Sequence, residues 1–173
     1  MEIIFTELIS KIRHLQGRGS AKILIIGHGN HGKDTIAKMI SIITDQKQTS
    51  ISDFIALKAV FPIVKDIYPN WKAAHSDRKN HRLLWFHAIR AYNLRPDTSL
   101  IDEILANHDI CVGLRSRCEF EKVRHKFDLV IWVDRSRVIP DEFGGSMELN
   151  TEDADVVLDN NSQPAGNWSS QIP

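Results

Sequence analysis

The residues best placed to do chemistry lie together in Gly27-His28-Gly29-Asn30-His31-Gly32-Lys33-Asp34-Thr35. The run follows the apolar stretch Ala21-Lys22-Ile23-Leu24-Ile25-Ile26 and opens a segment whose Ile36, Met39, Ile40 and Ile43 recur at helical spacing. A glycine-rich turn between a strand and a helix aims backbone N–H groups and the positive end of the helix dipole at an anion. A lysine at the helix start can then reach the outer phosphates of a nucleotide. Gly27 and Gly32 allow the tight path, and Gly29 removes a further side chain. The pattern reads as a phosphate-binding P-loop, with Gly27, Gly29, Asn30, His31, Gly32, Lys33, Asp34 and Thr35 around the anion. The usual pattern has Ser or Thr directly after the lysine. Here Asp34 intervenes, so the hydroxyl offered to Mg²⁺ or phosphate is that of Thr35. Asp34 either acts on Mg²⁺ through a water or favours the first helical turn by its charge.

Transfer of a phosphoryl group between two anionic substrates requires cations beyond Lys33. Arg115 and Arg117 follow the apolar run Ile110-Cys111-Val112-Gly113-Leu114. The carboxyl ends of parallel strands share one edge, so both arginines are expected near the phosphates, stabilising the transferring group. Arg78, Lys79 and Arg82 form a second cluster, which either holds an acceptor or is a set of solvated surface cations. Asp53 either faces the acceptor or caps the following helix. Trp85, Phe86, Trp71 and Tyr92 either stack on an acceptor base or belong to the core. His28 and His31 lie within reach of phosphate but at no metal-binding spacing, and the other histidines are scattered, so no zinc site is expected.

These residues need a scaffold. Ile3, Ile4, Leu8, Ile12 and Leu15 mark an amphipathic helix over residues 3–15, and residues 21–26 a buried strand. A helix starts near Gly32 or Lys33, a strand is expected over 49–52, and Asp53 opens a helix carrying Phe54, Ile55, Leu57, Val60 and Phe61. Helices are expected over 79–92, 98–106 and 117–125, and strands over 110–114, 129–133 and 154–159. Residues 66–78 and 135–153 read as inserted loops. Strands alternating with helices predict an α/β fold: a parallel β-sheet flanked by helices on both faces, with short acceptor-binding and lid insertions.

Several segments resemble the deoxynucleoside monophosphate kinases of bacteriophages, which belong with the adenylate kinase-like P-loop NTPases. Gly32-Lys33-Asp34-Thr35 is the most specific. Gly113-Leu114-Arg115-Ser116-Arg117-Cys118-Glu119 looks like the family's Asp-Val-Arg-x-x-x-Glu strand end, with Gly113 in place of the acidic residue. Ser50-Ile51-Ser52-Asp53-Phe54 resembles the segment after the second strand, and Asp155 to Asn161 the last strand and the Asn-rich loop near the donor base. The resemblance implies one P-loop kinase domain over 1–173, with an acceptor-binding helical region over about 53–106 and a donor-base loop near 154–162. It implies ATP as phosphoryl donor and Mg²⁺ as cofactor, Lys33 and Arg115 as catalytic residues, Thr35 on the metal and Asn160 near the donor; Arg117 joins the catalytic residues on its place after the 110–114 run alone. Asp53, Arg78, Lys79, Arg82, Trp85 and Glu119 would line the acceptor site. Phosphomevalonate and dephospho-coenzyme A kinases share much of the pattern, and a nucleotide-dependent switch or DNA-associated ATPase is the alternative from another class.

Composition bounds these readings. The 173 residues carry 22 Lys+Arg against 22 Asp+Glu, which removes any global basic coat and any expectation of stable nucleic acid binding. No apolar run approaches the roughly 20 residues that span a bilayer. Cys111 and Cys118 form no metal or disulfide framework, so a cytoplasmic protein is expected, in the host cytoplasm if phage-encoded. The partner expected is a small nucleotide, and a homodimer is compatible with it.

Overall fold

The computed structural model describes residues 2–96, 99–141 and 147–161. They build one all-parallel sheet of six strands: β1 (Glu2–Ile3), β2 (Ile23–Ile26), β3 (Gln48–Ser50), β4 (Ile110–Val112), β5 (Leu129–Asp134) and β6 (Val156–Asp159), in the order β1-β6-β5-β2-β4-β3. Every residue of β2 is buried and successive side chains enter opposite layers. Ile23 and Ile25 join Ile131, Val112 and Val133 on one face, whereas Leu24 and Ile26 join Cys111, Val130 and Trp132 on the other. A strand covered on both faces needs unbroken apolar sequence, and the Ile-rich run supplies it.

The first face is closed by α1 (Phe5–Gln16), through Leu8, Ile9 and Ile12, and by α2 (Lys33–Thr44), through Ile36, Ala37 and Ile40. The second face is closed by α3 (Ile51–Ile55), α6 (Arg82–Asn93), α7 (Leu100–Asn107) and α8 (Arg117–Val123), with Phe54, Trp85, Ile104 and Phe120 in one cluster. Full burial of each such side chain contributes about 1.5–3 kcal/mol. The chain leaves β2 through α2 on one face and leaves the neighbouring β4 through α8 on the other. Connections that diverge in this way open a crevice at the carboxyl ends of β2 and β4. The architecture is therefore α/β, compatible with a P-loop fold, and among the described residues no helix is long and apolar enough to cross a membrane.

The structure departs from the sequence reading in several places. Ile3, expected in the first helix, pairs with Leu158 as an edge strand, and the amphipathic helix begins at Phe5. Residues 66–78, expected as a loop, contain α5 (Trp71–Ser76), capped by the Asn70 side chain on Ala73 N–H at 2.9 Å, and a 3₁₀ turn at Asp77–Lys79. Helix α3 starts at Ile51 rather than Asp53, because Ser50 Oγ accepts from Asp53 N–H at 3.0 Å and serves as the cap. It continues through a π-helical turn, Ala56–Val60, into α4 (Phe61–Val64), where Pro62 lies in the first turn. Thr98, the expected start of a helix, and residue 162 of the expected donor-base loop lie outside the described residues, as does part of the expected insertion at 135–153.

Candidate active site

The loop 27–32 leaves β2 at the crevice, and its path depends on glycine at two points. Gly27 has φ +136°, and a Cβ there would stand 2.6 Å from the Val133 carbonyl oxygen. Gly32 has φ +93°, and a Cβ there would stand 2.5 Å from Asn160 Nδ2. Between them Asn30 takes the left-handed conformation, with φ 62°, which asparagine tolerates better than most residues. Lys33 opens α2, is 9% exposed, and donates from Nζ to the His28 carbonyl, so its ammonium lies folded over the loop. Asp34 and Thr35 are exposed on the first turn of α2.

The loop is braced from β6 and from the chain after β5. Asn160 is buried and donates from Nδ2 to the His31 carbonyl at 2.8 Å. His31, expected within reach of phosphate, instead turns its fully buried imidazole away: Nδ1 accepts from Arg135 N–H at 3.2 Å, which leaves Nε2–H to donate to the Ile139 carbonyl at 3.0 Å. Asn160, expected near the donor base, is thus a brace for the 27–32 loop. Beside it Asn161 Nδ2 bridges Asp134 at 2.9 Å and Asp159 at 2.7 Å. Burial pushes the Asp134 carboxyl up, but hydrogen bonds from Asn161 and Ser136 outweigh it and hold the group below its ordinary value.

At the end of β4, Gly113 N–H still pairs with the Ile25 carbonyl, at 3.0 Å. Gly113 has φ +97° with nothing within 4 Å of a built Cβ. The backbone there, not crowding, favours glycine over the acidic residue of the resembling pattern. Arg115 follows half-buried, its carbonyl accepting from Glu148 N–H at 3.0 Å. Arg117, expected to act on the transferring group, has its guanidinium on Asp153, which it grips through both terminal nitrogens, and on the Glu148 carbonyl at 3.1 Å. That hydrogen bonding raises the Arg117 pKa and ties the 147–153 segment to α8. Glu119 accepts from Asn93 Nδ2 at 2.9 Å, so it joins α8 to the end of α6.

On the helical side, Asp53 Oδ1 lies 3.4 Å from His75 Nδ1. Burial is the main cause that lowers the His75 pKa, and the Arg78 charge adds to it, while Asp53 and Asp34 act in the opposite sense. The start of α2, the start of α3 and the 75–78 turn therefore sit within electrostatic reach of one another. Asp77 organises that turn, accepting from Tyr68 at 2.5 Å and from Asn80 at 2.6 Å, with His81 at 3.1 Å. The Tyr68 bond, the largest cause, lowers the Asp77 pKa. Lys79 and Arg82 are exposed and Arg78 is half-buried. Trp85 packs into the core at 7% exposure, whereas Phe86 is 53% exposed.

Comparison with protein-family models, curated proteins and solved structures gives no match. Function therefore rests on the site itself. The structure brings together Gly27, Gly29, Asn30, Gly32, Lys33, Asp34 and Thr35, places Asp53 and Arg78 nearby through His75, and sets Arg117 and Glu119 on structural partners. The sequence reading missed His75 and Asp134. Asp134 had a signal, its place at the carboxyl end of an apolar strand. His75 had none, being a single histidine in an expected loop.

Proposed function

We propose that this protein is an ATP-dependent nucleoside monophosphate kinase of the phage deoxynucleoside type, transferring the γ-phosphoryl of ATP to a (d)NMP to give a (d)NDP. The observation that carries the reading is the glycine-dependent loop at the end of the central strand, with Lys33 folded over it. An anion seated on the loop amides would draw the Lys33 ammonium from the His28 carbonyl onto phosphate oxygens. The acceptor phosphate is largely ionised at neutral pH, so the reaction needs alignment and charge neutralisation rather than a general base. Arg115 would stabilise the transferring group, and Arg78, Lys79 and Arg82 would hold the acceptor phosphate.

The exposed residues Thr35 and Asp34 on the first turn of α2 would hold Mg²⁺, which would neutralise charge on the transferring phosphoryl group. Among the described residues no group of three His, Cys, Asp or Glu could hold a metal ion. Arg117 keeps the 147–153 segment in place. The expected outcome for Lys33→Ala is a loss of acceptor-dependent ADP release by about 10³-fold or more, with an unchanged unfolding transition. A folded Lys33→Ala protein that retains turnover would refute the assignment.

A further inference from the structure

Helix α6 turns one side to the core: Trp85 is buried, and Leu84, Ala88, Ile89 and Tyr92 pack against the same cluster. At about 100° per residue the opposite side carries Leu83, Phe86, His87, Arg90 and the cap residue Leu94, all exposed. Leu83 is 74% exposed, Leu94 83% and Phe86 53%. Side chains exposed to that degree stand out from the surface instead of lining a groove. A surface helix ordinarily gives its solvent side to polar and charged residues. Here three large apolar side chains share it with Arg90, whose guanidinium lies 5.5 Å from the Phe86 ring centroid.

The charge on this part of the chain is equally uneven. Residues 54–96 hold eight Lys and Arg against two Asp, in a chain that is neutral overall, and no Asp or Glu occurs from 78 to 96. Elsewhere cations meet carboxylates, as Lys22 meets Asp109 and Arg124 meets Asp155, and Arg95 beyond α6 is held by Glu103. Lys79, Arg82 and Arg90 are exposed and, among the described residues, pair with no carboxylate. The surface therefore suits an anionic partner that accepts protruding hydrocarbon. A second copy of the chain would bring like charges face to face. Single-stranded nucleic acid stacks on aromatic rings, whereas leucines dominate here. An acidic helix needs a groove for its apolar side. An anionic bilayer supplies both acidic head groups and acyl chains.

We propose that the outward side of α6 is a peripheral membrane site: Leu83, Phe86 and Leu94 enter the interface of an anionic phospholipid bilayer, and Arg90, with Lys79 and Arg82 at the amino end, meets the head groups. Leu83 and Leu94 stand about 16 Å apart along the axis, so the helix lies flat on the surface. The site is independent of the kinase reading. Lys79 and Arg82, which that reading sets on the acceptor phosphate, stay unchanged in the test, so the two fail separately.

The test is sedimentation of the whole chain with phosphatidylcholine vesicles containing about 30% phosphatidylserine, and with phosphatidylcholine alone, at about 0.1 M salt. Binding is expected to be at least about tenfold tighter to the anionic vesicles and to weaken as salt rises. Leu83→Ser combined with Leu94→Ser, and separately Arg90→Glu, are each expected to weaken it about tenfold or more with an unchanged unfolding transition. Lys38→Glu, the same charge change on exposed α2 surface over the opposite face of the sheet, is expected to leave it within about twofold. No binding to the anionic vesicles, equal binding to both kinds, or an equal loss in Lys38→Glu and Arg90→Glu overturns the proposal. So does capture of a single-stranded oligonucleotide without vesicle binding, which assigns the surface to nucleic acid.

Discussion

At the level of single residues, the candidate site sets buried polar side chains around the 27–32 loop. Lys33 and Asn160 are both buried polar groups near the loop, yet they differ in kind. Asn160 Nδ2 is committed to the His31 carbonyl, whereas Lys33 donates to the His28 carbonyl of the loop, a bond that on the proposed reading a donor phosphate would replace. His75 gives this scale its pH dependence. Its folded-state pKa lies below the ordinary 6.5, with burial the first cause. Below 6.5 the unfolded chain therefore takes up a proton that the folded chain refuses, and stability falls until the pH passes the folded pKa. Chemical denaturation across pH 5 to 8 is expected to show this loss on the acid side in the wild type and to show it reduced in His75→Phe. An identical acid limb in the two proteins would remove His75 as its source.

At the level of elements, the loop works because two strand ends and a brace meet behind it. The Val133 carbonyl at the end of β5 leaves no room for a side chain at residue 27, and Asn160 after β6 leaves none at residue 32. Gly27→Ala is expected to cost about 2–3 kcal/mol in chemical denaturation, since both its φ and its backbone neighbour oppose a Cβ. A cost under about 0.5 kcal/mol would mean that the loop does not run this close to β5. The strands and the glycine turn were legible because they obey local rules. Consecutive buried aliphatics mark β2, β4 and β5, and glycine marks positive φ. Helix α5 was not legible, because Pro62 and Pro69 punctuate the stretch around it and its stability comes from the Asn70 cap and the packing of Ala74. The pairing of Arg117 with Asp153 was equally hidden, since it joins residues far apart in sequence. Edge strand β1 was hidden too, because two residues are too few to carry a period.

At the level of the whole molecule, the even balance of 22 cationic against 22 acidic side chains excludes only a globally basic binder. The folded arrangement spends several of the cations on ion pairs that hold the scaffold: Lys22 with Asp109, Arg124 with Asp155, and Arg117 with Asp153. Lys33 and Arg115 lie at the carboxyl edge and Arg78, Lys79 and Arg82 on the adjoining helical side; on the kinase reading proposed above, donor and acceptor phosphates would meet there. The most direct test follows the phosphoryl group itself. With ATP labelled in its γ-phosphoryl, Mg²⁺ and a panel of deoxynucleoside monophosphates, the label is expected to appear in the β-phosphate of a deoxynucleoside diphosphate, and to stay in ATP when Lys33 is replaced by Ala. Label released only as inorganic phosphate, or retained in ATP with every acceptor, would contradict the account.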